Sequence, residues 1–149
     1  MTDTRSVLVY DFMPARIAFQ HGAEWMQTEA PAALTAAAEL AFDYTQADGR
    51  LEFGAVRDRS DSLVLDVELS GNPIAARFGY FQGELQLAPL YDACSHLSVS
   101  VAYQPWAQSE LTAGERRTAQ RETEVRVREF LALIAIALEG SRDYEAEAP

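Results

Sequence analysis

A run of alternating apolar residues between Arg50 and Ala88 constrains this chain more than any other feature. Every second position is apolar in four short segments: Leu51, Phe53 and Ala55; Leu63, Leu65, Val67 and Leu69; Ile74, Ala76, Phe78 and Tyr80; and Leu85 and Leu87. A period of two is the mark of half-buried strands. Two-residue loops at Gly71-Asn72 and Gln82-Gly83, with a three-residue loop at Asp58-Arg59-Ser60, bring all four apolar sets onto one face. In that register Leu69 faces Ile74, Leu65 faces Phe78, Tyr80 faces Leu85 and Ala55 faces Leu63. A slip of one residue at any turn sends a whole apolar set to solvent, so three turns that agree define a four-strand meander. Its other face carries Glu52, Asp66 and Arg77 in one row and Arg50 beside Glu68, the composition of a solvated sheet face. Phe81 departs from that pattern, because the register puts it on the outer face beside Gln82-Gly83.

The flanking elements fall into place around this sheet. Ser6 to Phe12 is rich in β-branched and aromatic residues and is stopped by Met13-Pro14, so a strand is expected there, at an edge or beside a later strand. Ala15 to Gln27 has a weak helical stripe interrupted by Gly22. Thr28 and Pro31 open a second, Ala-rich helix over Ala32 to Tyr44, with Leu34, Ala37, Ala41 and Tyr44 on one side. After Pro89, which breaks the fourth strand, Leu90 to His96 is expected as loop and Leu97 to Tyr103 as a further half-buried strand. Thr112 with Glu115 forms a capping box, and Gly140 stands where a C-cap is expected. The last helix is therefore placed at Ala113 to Glu139, about 40 Å long and overhanging strands of about 27 Å. Val127, Phe130, Leu131, Ile134 and Leu138 form its core stripe. Leu133 and Ile136 lie on another side and must meet the Ala-rich helix or a second copy of the chain.

With 149 residues, the chain forms one domain over residues 1–140, followed by an acidic tail over 141–149 expected to be disordered. The formal charge of −11 argues against nucleic acid and against an anionic membrane surface as direct partners, and it suits a basic one. A single Cys gives no disulfide framework, and nine apolar residues in succession from Phe130 to Leu138 are too few to span a bilayer, so a cytoplasmic protein is expected.

No chemical motif emerges from this pattern. Five Arg between Arg116 and Arg128 include Arg117, Arg121 and Arg128 on one helical face, but six acids accompany them from Ser109 to Gly140. Glu122 with Arg126 and Glu124 with Arg128 are spaced for i,i+4 pairing. Cys94 and His96 stand two residues apart, a poor geometry for a thiolate and its base. Two histidines cannot build a His-rich metal site, and Asp58 to Ser62 lacks the turn Gly and closing Glu of a calcium loop. No catalytic, cofactor-binding or metal-binding residue is assigned, and an enzyme is the less expected outcome.

The element order is strand, two helices, meander, strand and long helix. It implies an α+β fold: an antiparallel β-sheet, a four-strand meander plus two further strands, with helices on one face and a long C-terminal helix. By this order the chain resembles the helix-grip proteins, in which a curved antiparallel sheet wraps a long C-terminal helix around an apolar cavity, with one strand fewer than that family has. No binding residue is carried over from the resemblance. Two function classes stay open. The favoured one is a small acidic cytoplasmic interaction protein, of the immunity-protein, adaptor or secretion-chaperone kind. It would bind a protein partner through Arg117, Arg121, Leu133, Ile136 and Phe81, with a homodimer through the C-terminal helix as one form. The alternative is a helix-grip-like carrier or enzyme holding a small apolar ligand between sheet and helix, with Phe53, Phe78, Tyr80, Val127, Phe130 and Ile134 around it.

Overall fold

Five antiparallel strands and three helices follow one another as β1 (Val7–Ala15), α1 (Phe19–Thr28), α2 (Ala30–Ala41), β2 (Gly49–Asp58), β3 (Leu63–Gly71), β4 (Tyr80–Tyr91), β5 (Cys94–Gln104) and α3 (Ala113–Glu147). This computed structural model describes residues 7–42, 49–71, 80–91, 93–104 and 113–147. The strands form one sheet in the order β1-β5-β4-β3-β2, so the N-terminal strand lies at one edge, beside the last strand. The architecture is the expected α+β fold, with the helices against one face of the sheet.

The register differs from the expected meander in a way that moves named residues. β4 is one continuous strand that pairs directly with β3, Leu69 opposite Phe81, Leu65 opposite Leu85 and Leu63 opposite Leu87. Gln82-Gly83 is therefore not a turn, and Phe81 belongs to the inner set, where it is fully buried instead of exposed. The expected strand over Ile74 to Tyr80 and the Gly71-Asn72 loop fall almost wholly on residues 72–79, outside the described residues. A bulge between Phe53 and Val56 makes a second shift: Phe53 opposes Val67 and Val56 opposes Leu65, leaving Gly54 and Ala55 exposed. The turn that follows spans four residues, closed by Arg59 N–H to Ser62 O at 2.8 Å with Ser60 at φ 67°, which is turn chemistry.

Pro14 and Pro89 stop neither of their strands. β1 is an edge strand, which tolerates proline, and Pro89 lies beyond Leu63, the first residue of β3, where β3 asks no ladder bond of its nitrogen. The expected loop from Leu90 to His96 is a short connection instead, with Tyr91 opposite Cys94 and Ala93 at φ 58°. Thr28 closes α1 by donating its hydroxyl to Glu24 O at 2.8 Å; it does not cap α2, whose N-cap is Glu29 with Pro31 in the first turn. α3 continues past Gly140 to Glu147, through much of the stretch expected as a tail. Gly140 meets no neighbour within 4 Å, so its helical backbone is opposed by no contact.

The inner face collects Val9, Leu97, Val99, Val101, Phe81, Leu85, Leu87, Leu63, Leu65, Val67 and Leu69, all buried. α3 packs mainly on β1 and β5 and against α2, α1 sits against β4 and β5, and among the described residues no helix backbone comes as close to β2 or β3. Gly22 explains how α1 comes so near. A Cβ there would lie 2.5 Å from Leu87 Cδ2, so the residue that weakens the helix by propensity is what lets it lie on the strand. The centre of the core is an aromatic trio from three elements. Phe42, just past α2, Phe81 on β4 and Phe130 on α3 have ring centroids 5.1, 5.6 and 6.0 Å apart, with the Phe81–Phe130 pair edge to face.

Candidate functional site

The two faces of the sheet differ in chemistry and in how far they are covered. On the inner side the helices cover β1, β5 and β4, while the β2 flank keeps Leu51, Phe53 and Val56 only half-buried although they share the face of the core. This is an apolar wall continuous with Val67 and Leu69. The inward positions of β1 and β5 include two described polar side chains, and both are committed. Asp11 accepts from Phe12 N–H at 2.8 Å and from Arg128 Nε at 3.1 Å, and Ser95 donates its hydroxyl to Ile17 O at 2.7 Å.

Of the residues expected around an inner cavity, Val127, Phe130 and Ile134 are fully buried and serve the core, and Phe53 lines its half-open β2 flank. Phe78 lies outside the described residues, and Tyr80 opposes Gln104 at the start of β4. The interaction candidates do not converge. Arg117 and Arg121 are exposed on α3, Leu133 packs partly into the core, Ile136 is 66% exposed and Phe81 is internal.

The expected Glu122–Arg126 and Glu124–Arg128 pairs on α3 give way to other contacts. Arg126 Nη1 donates to Ala41 O at 3.2 Å at the C-terminal end of α2, where a cation suits the helix dipole. Arg128 turns to Asp11, and Glu124 accepts from Gln120 Nε2 at 3.0 Å. The Gln120 amide also reaches Leu8 O at 3.2 Å, so the first half of α3 lies along the β1 edge and does not project. His96 stacks on Phe12 with centroids 5.3 Å apart, and Cys94 hydrogen-bonds with Tyr91, a contact that raises the Tyr91 phenol above its ordinary pKa. Among the described residues no group of His, Cys, Asp and Glu could hold a metal ion.

The outer face is where the sequence misled most. Instead of a flat solvated surface it forms a trough of about 780 Å³ that draws residues from all five strands. Glu52, Arg57, Asp66, Glu68 and Glu84 line it at the β2, β3 and β4 side, and Leu8 and Tyr10 at the β1 side. The charge rows also differ from expectation, because the turn begins after Asp58 and the bulge then shifts the register once more. Glu52 opposes Glu68, not Asp66, and Arg50 pairs with Glu52 at 3.3 Å. Arg57 takes the place given to Arg77, which lies outside the described residues, bonding Asp66 at 2.8 Å and Glu84 at 3.2 Å. Gly54 inside an apolar alternation was the signal that could have revealed this shift.

No protein-family model matches the sequence, and no curated protein does. Among solved structures the chain is similar to a conserved protein from Geobacillus kaustophilus, with a TM-score of 0.54, 13% identity, and coverage of 90% of this chain and 96% of that one. It is equally similar to the Zhui aromatase/cyclase from Streptomyces sp. R1128, again with a TM-score of 0.54 and 13% identity, covering 96% of this chain and 97% of that one. At this identity the likeness is one of fold, and it extends over nearly the whole chain: a helix-grip-like sheet with a long C-terminal helix against it.

Proposed function

We propose that this protein is a helix-grip-like binding protein that holds a small apolar ligand between the sheet and the C-terminal helix. The observation that carries the proposal is the half-buried apolar flank of β2, Leu51, Phe53 and Val56, facing the helix side of the sheet where, among the described residues, no helix backbone comes as close as at β1, β4 and β5. Apolar surface left partly open beside an otherwise closed core is what a ligand completes. The aromatic trio at its back supplies a rigid wall, and the commitment of Asp11 and Ser95 to protein partners favours carriage over chemistry. That one structural neighbour is an aromatase/cyclase agrees with this at the level of the fold, and supports a ligand-binding class over an interaction protein.

Titration with the neutral apolar fluorophore Nile red tests it. We expect one saturable site that Phe53→Asp weakens by about tenfold or more, the loss of roughly 1.4 kcal/mol of binding energy, while circular dichroism confirms that the variant is folded. Absence of saturable binding to the folded wild-type protein would sink the proposal.

A second reading, a homodimer through α3, is favoured by Val125 and Ile136, each 66% exposed and eleven residues apart on one line of the helix. Sedimentation at tens of micromolar is expected to find two copies, and Ile136→Glu to give folded monomers. A monomeric wild-type protein at that concentration removes this second reading.

A further inference from the structure

We propose that the trough on the outer face of the sheet is a second binding site, for a small amphipathic cation: an organic amine with an apolar body. The sheet register shows how its lining is graded. One row reads Glu52, Glu68, Gln82, Ala102 and Leu8 from β2 across to β1, each directly opposite the next. The row beside it reads Asp66, Glu84, Ser100 and Tyr10. Both rows pass from carboxylates, through small or neutral polar groups, to an apolar end.

Each end calls for a ligand of its own kind. Leu8, Tyr10 and Phe12 are 64, 60 and 56% exposed, a contiguous apolar strip on the face that the helices do not cover, with the Tyr10 and Phe12 rings 5.9 Å apart. At the other end four carboxylates, Glu52, Asp66, Glu68 and Glu84, line the trough against one guanidinium, that of Arg57. Arg50 and Arg59 reach in from the margin, to Glu52 at 3.3 Å and Glu84 at 3.5 Å. Three cations against four anions leave Glu68 without an ion-pair partner among the described residues, and it stands directly opposite Glu52. Like charges set opposite each other weaken a sheet, and a bound cation between them reverses the sign of that interaction.

Size decides between a small molecule and a peptide. A volume of about 780 Å³ is that of a small-molecule site. From β3 to β1 is three strand spacings, about 14 Å, the length of a molecule with an ammonium group at one end and one or two rings at the other. The formal charge of −11 draws such cations from a distance.

Dansylcadaverine, an aromatic body carrying a primary amine, is the probe, with dansylamide, which has the same rings and no cation, as its control. We expect saturable binding of dansylcadaverine by the full chain, about tenfold or more weaker for dansylamide. Glu68→Gln and Tyr10→Ser, both surface substitutions, are each expected to weaken the dansylcadaverine complex at least severalfold with unchanged circular dichroism. Affinity falls as salt rises, and saturating Nile red leaves it unchanged, because the inner wall is a different site. The proposal is overturned if dansylcadaverine does not saturate, if dansylamide binds as well, if Glu68→Gln or Tyr10→Ser leaves its affinity within twofold of wild type, or if Nile red displaces it.

Discussion

Replacing Gly83 with valine is expected to cost about 3 kcal/mol or more of stability, a large fraction of the roughly 5–15 kcal/mol that holds a domain of this size folded. Gly83 lies in the middle of β4, opposite Val67 on one side and Val101 on the other. A Cβ built there would stand 2.3 Å from the backbone oxygen of Ser100 and 2.6 Å from Val101 Cγ1. A flexible side chain could swing away from such a contact; a backbone carbonyl held in a strand cannot. β4 and β5 must then separate at the centre of the sheet, where the ladder is continuous on both sides. Gly83→Ala is the milder probe and is expected to lose about 2 kcal/mol. Urea denaturation monitored by far-ultraviolet circular dichroism measures both, and a Gly83→Ala protein within 0.5 kcal/mol of wild type would show that the strands do not approach as closely as described.

Phe130→Ala is expected to cost about 4 kcal/mol. Phe130 is fully buried on α3 and touches both other members of the aromatic trio. Its removal takes away the contact by which the C-terminal helix is held to the sheet centre and to the end of α2 at once. Phe130→Leu, which keeps apolar volume but not the edge-to-face geometry with Phe81, is expected to lose less than half as much. Equilibrium unfolding of both variants is the measurement. Equal losses would mean that volume plays no part, and a loss below 1 kcal/mol for the alanine variant would mean that the site collapses around the gap.

Much of this architecture was legible in the sequence, for a local reason. Alternation in Leu63 to Leu69 and Leu97 to Tyr103 places alternate side chains on one face whatever the partner strand, and both segments are strands, with Leu63, Leu65, Val67, Leu69, Leu97, Val99 and Val101 inward. The stripe of Val127, Phe130, Leu131, Ile134 and Leu138 on the last helix is likewise set by helical periodicity, and all five are buried. What failed depended on which strand pairs with which. Gln82-Gly83 resembles a turn dipeptide, yet Phe81, Gly83, Leu85 and Leu87 also continue one alternation, and pairing with β3 and β5 on both sides selects the strand. The candidate sites were harder still. An inner wall half-covered at β2 depends on where α3 seats, and a trough on the outer face depends on the curvature of five strands together. Neither quantity is written in any local window.

The contact of Gln120 with Leu8 has a consequence for association between copies of the chain. The Gln120 amide takes the carbonyl of Leu8, and Asp11, held by Arg128, takes the N–H of Phe12, so two of the outward backbone groups along β1 are already occupied. Strand addition is thereby hindered at β1, and at β2 exposed Arg50 and Glu52 discourage it. A sheet obstructed at both edges in this way is a poor template for a further strand. The helix that helps to form the core thereby also works against edge-to-edge growth of the sheet.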